Sequence, residues 1–210
     1  MGHHRLPLAL FLPLEAEAQA SGYCCIAGLD EAGRGPLAGP VVAAAVILSA
    51  DRPIPGLRDS KRLSPQQRYT VYRVILQQAV AWGIGIVSHV QIDQHDVLWA
   101  TKEAMVRAVR QLPWVPDLLF IDGTVSLPLP MAQRTVVRGD ACCASIAAAS
   151  VLAKVIRDRL MVAYATRYPE YGFDKHKGYP TREHYACLQK YGPCAIHRRS
   201  FRGVVPNEAR

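Results

Sequence analysis

The fold is decided by one stretch: Cys24-Cys25-Ile26-Ala27-Gly28-Leu29-Asp30-Glu31-Ala32-Gly33-Arg34-Gly35-Pro36-Leu37-Ala38-Gly39-Pro40-Val41-Val42-Ala43-Ala44-Ala45-Val46. An apolar run leads into two adjacent acids, a Gly-Arg-Gly turn follows, and a second apolar run then carries no charge until Asp51. This reads as strand, tight turn, strand. Glycines on both sides of Arg34 permit positive φ and close backbone approach. Neighbouring strand residues point to opposite faces, so Asp30 and Glu31 need a twist or bulge to share one metal, unless one of them binds through its backbone carbonyl. Two carboxylates at the end of a buried strand are costly unless paired or metal-bound. The plainer alternative, a charged hairpin turn, fits poorly inside runs this apolar.

Working outward, 210 residues are ample for one buried core. Half of them are hydrophobic, yet no stretch is long and apolar enough to span a bilayer. The formal charge of +8 and a pI near 9.4 point to an anionic partner, nucleic acid first. Six cysteines, Cys24, Cys25, Cys142, Cys143, Cys187 and Cys194, include two directly adjacent pairs and no C-x-x-C. That argues against a conventional structural zinc site and fits reduced thiols in a cytosolic protein. Residues 1–20 are expected to be a disordered leader: Pro7, Pro13, Glu15 and Glu17 count against a signal peptide.

Strands are expected over 23–30, 40–48, 83–87 and 118–123, with a short one at 135–137. Ser64-Pro65-Gln66-Gln67 has the form of a helix start, with Ser64 as N-cap and Gln67 closing a capping box. Apolar residues at helical spacing predict one helix from about 92 to 112, ended by Pro113. Another helix is expected over 144–166, opening on Ala144-Ser145-Ile146-Ala147-Ala148-Ala149-Ser150, small side chains that let a helix lie close on a sheet. Lys154, Arg157 and Asp158 are expected to hold one another by ion pairing. The tail is basic and aromatic, with a further helix over 181–190.

Four acids stand out: Asp30, Glu31 and Asp122 at strand ends, and Asp140 just before a helix. Sites assemble at strand ends in α/β sheets. Oxygen-only ligands select hard divalent cations. Two such ions, about 3.5–4 Å apart, can activate water and stabilise the leaving oxygen of a phosphodiester. Neither a G-x-S-x-G nucleophile elbow nor a phosphate-binding P-loop motif is present. The residues by themselves thus reach metal-dependent phosphodiester chemistry beside a basic substrate groove.

With these motifs in order, the chain resembles bacterial ribonuclease HII over about residues 23–205. The resemblance rests on Asp30 to Pro40, Asp59-Ser60-Lys61, Ile121-Asp122-Gly123, Gly139-Asp140-Ala141 and Ala147 to Asp158. It continues through Tyr171-Gly172-Phe173, His176-Lys177-Gly178-Tyr179 and His197-Arg198-Arg199-Ser200-Phe201. The wording Arg34-Gly35-Pro36-Leu37 is similar to type 2 rather than type 3 enzymes.

The resemblance implies an α/β ribonuclease H-like fold, a mixed central sheet flanked by helices. Residues 21–210 would form one catalytic domain that includes a helical C-terminal part at about 167–205. It implies an endonuclease that hydrolyses the RNA strand of RNA–DNA hybrids and incises 5′ of single ribonucleotides in duplex DNA. Products would carry 3′-hydroxyl and 5′-phosphate ends, and the cellular role would be ribonucleotide removal from DNA. Asp30, Glu31, Asp122 and Asp140 match the family's metal-binding acids, for two Mn²⁺ or Mg²⁺ ions. Gly33, Arg34 and Gly35 match the segment that contacts the 2′-hydroxyl and its neighbouring phosphate. Tyr179 matches the tyrosine that packs at the RNA–DNA junction. The enzyme is expected to be monomeric and cytoplasmic.

Other readings stay open. Lys61 is either a phosphate contact or a solvated loop lysine. His197, Arg198 and Arg199 either bind backbone phosphates or cap the tail, and His176 positions the loop that carries Tyr179. Asp158 is a structural partner for a neighbouring cation rather than a fifth metal ligand. The chain departs from the family at Asp96 and Thr124, where Asn is common; both put local hydrogen bonding in question, not the acids. The rival from another class is a basic nucleic-acid-binding protein on the same fold without catalysis.

Overall fold

The computed structural model describes residues 13–49, 51–57 and 60–205; of Lys61 only the backbone is described. Five strands form one sheet in the order β3-β2-β1-β4-β5. These are β1 (Ile26–Ala32), β2 (Val41–Ile47), β3 (Ala81–Val87), β4 (Leu118–Asp122) and β5 (Ala132–Val136). β1–β2 and β2–β3 pair antiparallel, whereas β1–β4 and β4–β5 pair parallel. The sheet is therefore mixed, as expected. β1 runs two residues beyond the expected strand end, so both acids lie on it.

Seven helices complete the described chain: α1 (Pro13–Ala20), α2 (Pro65–Gln78), α3 (His89–Gln94), α4 (Val97–Arg110), α5 (Ala144–Arg167), α6 (Phe173–His176) and α7 (Arg182–Tyr191). The Ser64/Gln67 capping box opens α2 as its residues predict. The single helix expected from 92 to 112 is two. His95 ends α3 and the Asp96 carboxylate caps α4, accepting from the Trp99 amide at 2.7 Å. Apolar periodicity ran through that junction, and the acid at the cap decided the break. Asp96 thus has a local partner that suits a carboxylate, while Thr124 is exposed.

The sheet has a core on each face. One, with Leu29, Ala43, Leu119 and Ile121, packs against α4 residues such as Ala104 and Ala108. The other, with Ala44 and Val46, packs against Val71 and Ile75 of α2 and Ala148, Val151 and Leu152 of α5. The α5 helix lies so close to β1 that a Cβ on Gly28 would strike the backbone of Ser145 and Ile146. Small residues at the start of α5 permit that approach.

Part of the expected leader is ordered: residues 13–20 form α1, with Ala18 buried against Ile26, Phe120 and Ile146. The Glu15 carboxylate accepts from the Ser145 amide and hydroxyl, both at 3.0 Å, and so caps α5 from a distant part of the chain. The sequence of α5 has no capping side chain of its own at Cys143, and a capping partner so far away in the chain has no local signature.

The helical C-terminal part builds a third core of Tyr171, Phe173, Leu188 and Ile196 around Met161 of α5 and Leu37-Ala38. Backbone bonds tie it to the segment after β1: the Leu37 amide donates to the Gly178 carbonyl, and the Arg198 amide to the Leu37 carbonyl, both at 2.8 Å. All six cysteines are free thiols. Among the described residues no helix is long and apolar enough to cross a membrane.

Candidate active site

Parallel pairing brings two acid-bearing strand ends together. Leu29 pairs with Ile121, and one step further along that register Asp30 stands beside Asp122. Asp30 follows Gly28 on the face covered by α5, and Glu31 follows Leu29 on the other. Both nevertheless line one cleft of about 250 Å³, together with Gly33, Arg34, Gly35, Asp122 and Tyr179. Asp140 is buried in the turn Gly139–Ala141 that leads to α5. That turn is docked onto Asp122, whose carboxylate accepts the Gly139 amide at 2.7 Å. Asp140 does not line the cleft as the other three acids do.

The electrostatics are those of crowded carboxylates. Burial first, then the charges of Glu31 and Asp122, push the Asp30 carboxyl well above the usual aspartate range. The Ser150 hydroxyl and the Glu31 amide, the latter at 2.7 Å, act in the opposite direction. Glu31 is also raised by burial; Arg34, 3.4 Å away, draws it down while Asp122 raises it. Like charges held out of water favour neutralisation by protons or by a cation.

The donor set fits a hard divalent ion in kind. Among the described residues no group of three or more His, Cys, Asp or Glu is disposed to hold a metal as it stands. An open set of carboxylates that leaves ligand positions for water and phosphate oxygens is nonetheless how Mg²⁺ is usually held.

The Gly-Arg-Gly turn forms part of the cleft wall. Of its two glycines only Gly33 has positive φ, at 101°, and a Cβ there would collide with the Arg157 side chain. Gly35 has room for a Cβ: it lies near the Tyr179 ring, whose Cε1 would be in ordinary contact at 3.9 Å. Arg34 projects outward, its side chain 52% exposed. Tyr179 is 39% exposed, with the cations of Lys154 and Arg157 at 5.6 and 5.7 Å from its ring centre.

Two buried arginines hold this wall from behind. Arg198 donates to the carbonyls of Gly33, Arg34 and Gly39 at 2.5, 2.9 and 3.0 Å. Arg157 donates to those of Pro40, Lys177 and Ala38 at 3.1, 3.1 and 3.2 Å. Neither role was expected. The anticipated ion-pair group is only the Lys154–Asp158 pair, at 2.7 Å, which gives Asp158 its structural role; Arg157 turns to backbone carbonyls instead. For Arg198 the tail-capping alternative holds over phosphate binding, since its side chain is fully buried. His176 does brace the loop of Tyr179: its Nδ1 accepts the Gly178 amide at 3.2 Å.

Sequence reasoning also missed Ser60, Ser150 and Lys154, which line the cleft. Ser60 and Ser150 share a hydroxyl hydrogen bond of 2.8 Å. Ser150 read as one more small residue of α5; only the helix register turns its hydroxyl to Asp30. The Lys61 side chain and Asp59 lie outside the described residues.

Known proteins resemble this chain in sequence and in fold. The ribonuclease HII family model matches residues 27–204. The chain is 54% identical over 193 residues to ribonuclease HII of Bacillus pumilus (strain SAFR-032), covering 92% of this chain and 76% of that one. It is 52% identical, again over 193 residues, to ribonuclease HII of Geotalea uraniireducens (strain Rf4), covering 92% and 89%. Among solved structures it is similar to the ribonuclease H2 of Pyrococcus horikoshii OT3, with TM-score 0.75 and 27% identity over 86% of this chain and 95% of that one. The chain belongs to the ribonuclease HII family, endonucleases of the ribonuclease H class.

Proposed function

We propose that this chain hydrolyses the RNA strand of RNA–DNA hybrids and incises duplex DNA 5′ of a single embedded ribonucleotide, and that it serves to remove ribonucleotides from DNA. The observation that carries the reading is the cleft itself, lined by Asp30, Glu31 and Asp122 together with the Gly33-Arg34-Gly35 turn and Tyr179.

Each group has its own task. Asp30, Glu31 and Asp122, with Asp140 close behind, would hold two Mn²⁺ or Mg²⁺ ions. Bound there, such ions supply Lewis acidity for a water nucleophile and for the departing 3′-oxygen. The chain itself positions the substrate. With every peptide among the described residues trans, the N–H following an inward-held carbonyl points the opposite way. Arg198 holds the Gly33 and Arg34 carbonyls, so the Arg34 and Gly35 amides point away from it. Amides so directed can meet a 2′-hydroxyl or a phosphate oxygen, and the 2′-hydroxyl is what separates RNA from DNA at a given position. Tyr179 packs at the junction, and Arg34 and Lys61 offer cations to neighbouring phosphates. The protein acts as a monomer in the cytoplasm.

The deciding assay uses duplex DNA with one ribonucleotide, an all-DNA control, and Mn²⁺, Mg²⁺ or EDTA. Metal-dependent cutting 5′ of the ribonucleotide, absent in Asp30→Asn, is expected. Binding without cutting under either metal, or cutting of the all-DNA control, would refute the proposal.

A further inference from the structure

None of the chemistry above uses the three histidines buried in or beside the C-terminal core. His184 and His197 are almost wholly buried, and His176 stacks on His184 with ring centres 4.5 Å apart. Their hydrogen bonds run in one direction only. The Cys194 amide lies 3.0 Å from His197 Nδ1. An amide can only donate, so Nδ1 accepts and the neutral ring carries its proton on Nε2. That Nε2 lies 3.0 Å from His184 Nε2. One proton fits between them, so His184 accepts there and keeps its own proton on Nδ1. His184 Nδ1 in turn lies 3.0 Å from the Tyr179 carbonyl. The chain runs from the Cys194 amide through His197 and His184 to the backbone of Tyr179.

We propose that His197 and His184 are positioning residues for Tyr179, and that this oriented chain sets where the tyrosine ring stands over the cleft. The proposal deepens the functional reading above and rests on it, since it takes Tyr179 to read the RNA–DNA junction. Both rings are suited to stay neutral. Burial pushes His197 down to about 4, helped by His184, His176 and His89, and burial likewise lowers His184. Protonating either one would set two N–H groups against each other or place a cation in an apolar core. The rest of the loop depends on the same carbonyl: the Thr181 amide donates to Tyr179 O at 2.8 Å.

Two substitutions separate positioning from packing. In His184→Asn the side-chain amide can take the place of Nδ1 and still donate to Tyr179. In His184→Gln it reaches the place of Nε2 and leaves that carbonyl with the Thr181 amide as its donor but without the one from residue 184. The readout is kcat/KM on a one-ribonucleotide duplex relative to a long RNA–DNA hybrid, with thermal midpoints measured alongside. We expect His184→Gln to lose about tenfold of that preference, as one lost hydrogen bond implies, and His184→Asn to recover most of it. Tyr179→Ala combined with His184→Gln should match Tyr179→Ala alone. If Tyr179→Ala loses the preference while the two His184 variants behave alike, the positioning role is wrong. If Tyr179→Ala keeps the preference, the reading of Tyr179 falls and the functional part of this proposal with it. ¹⁵N spectra of the imidazoles test the chain separately: protons on His184 Nδ1 and His197 Nε2 support it, and the opposite tautomers or a cationic ring overturn it.

Discussion

Arg198 Nη2 donates to the Gly33 carbonyl at 2.5 Å, from beneath the turn that forms part of the cleft wall. The two residues are 165 apart in sequence. The C-terminal part therefore shapes the substrate-facing turn directly, and its guanidinium is spent entirely on three backbone carbonyls.

That relationship sets a first prediction. Arg198→Met keeps most of the apolar stem but takes the donor from three carbonyls, those of Gly33 and Gly39 buried and that of Arg34 partly so. Unfolding free energy should drop by about 3 kcal/mol or more, given about 1–3 kcal/mol for each buried group left unsatisfied. Because the turn also loses its orientation, KM for a one-ribonucleotide duplex should rise in the fraction that remains folded. Urea melts and steady-state kinetics check both. An unchanged KM would show that the turn holds its shape without Arg198.

Gly33→Ala should be nearly as damaging by another route. The backbone there is at φ 101°, and the new methyl would collide with Arg157. Strain of this kind costs about 1–3 kcal/mol before the clash is counted. By contrast, Gly35→Ala meets nothing nearer than 3.9 Å and should fold as well as the parent, showing its defect only with nucleic acid bound. Melting curves of the two variants should separate clearly.

Asp30 links stability to pH and to metal. Its folded pKa is raised, so the folded state holds a proton that the unfolded chain has already lost. Stability from this group is full below the ordinary aspartate value of about 4 and is lost as pH rises through the raised folded value. Asp30→Asn should abolish the metal-dependent cleavage; without metal it should melt higher than the parent near neutral pH, and the difference should vanish in acid. Added Mn²⁺ should raise the melting point of the parent by mass action and that of Asp30→Asn much less. Equal metal shifts in the two proteins would count against Asp30 as a ligand.

Glu15 gives a prediction about the ordered end of the leader. Its carboxylate caps the first turn of α5, where an acid also meets the positive end of the helix. Glu15→Ala should cost about 1 kcal/mol, read as a lower denaturation midpoint with kcat nearly unchanged. Deletion of residues 1–20 should cost more, because the contact of Ala18 with Phe120 and Ile146 is lost as well.

Much of the molecule was legible from residues alone, where the signals are local. The two apolar runs around Asp30-Glu31 could hardly be anything but paired strands. The Ser64/Gln67 box marked its helix, and the small residues opening α5 announced a helix pressed to a sheet. The break at His95 was missed because hydrophobic spacing continues across it, whereas an N-cap depends on one side chain. Ser150 was missed because only its angular position on α5 distinguishes it from the alanines around it.

By itself, then, the sequence determined the strands, the helix starts, the acids at the strand ends and the ordered motifs that mark the family, since each depends on residues close together in the chain. The tertiary structure alone decided that Arg157 and Arg198 bind carbonyls rather than acids or phosphates, that His197 and His184 reach the backbone of Tyr179, and that Glu15 caps α5. The reason is physical. A buried polar side chain takes whichever partner the packed core leaves within hydrogen-bond reach, and that partner lies in segments whose meeting no local pattern encodes.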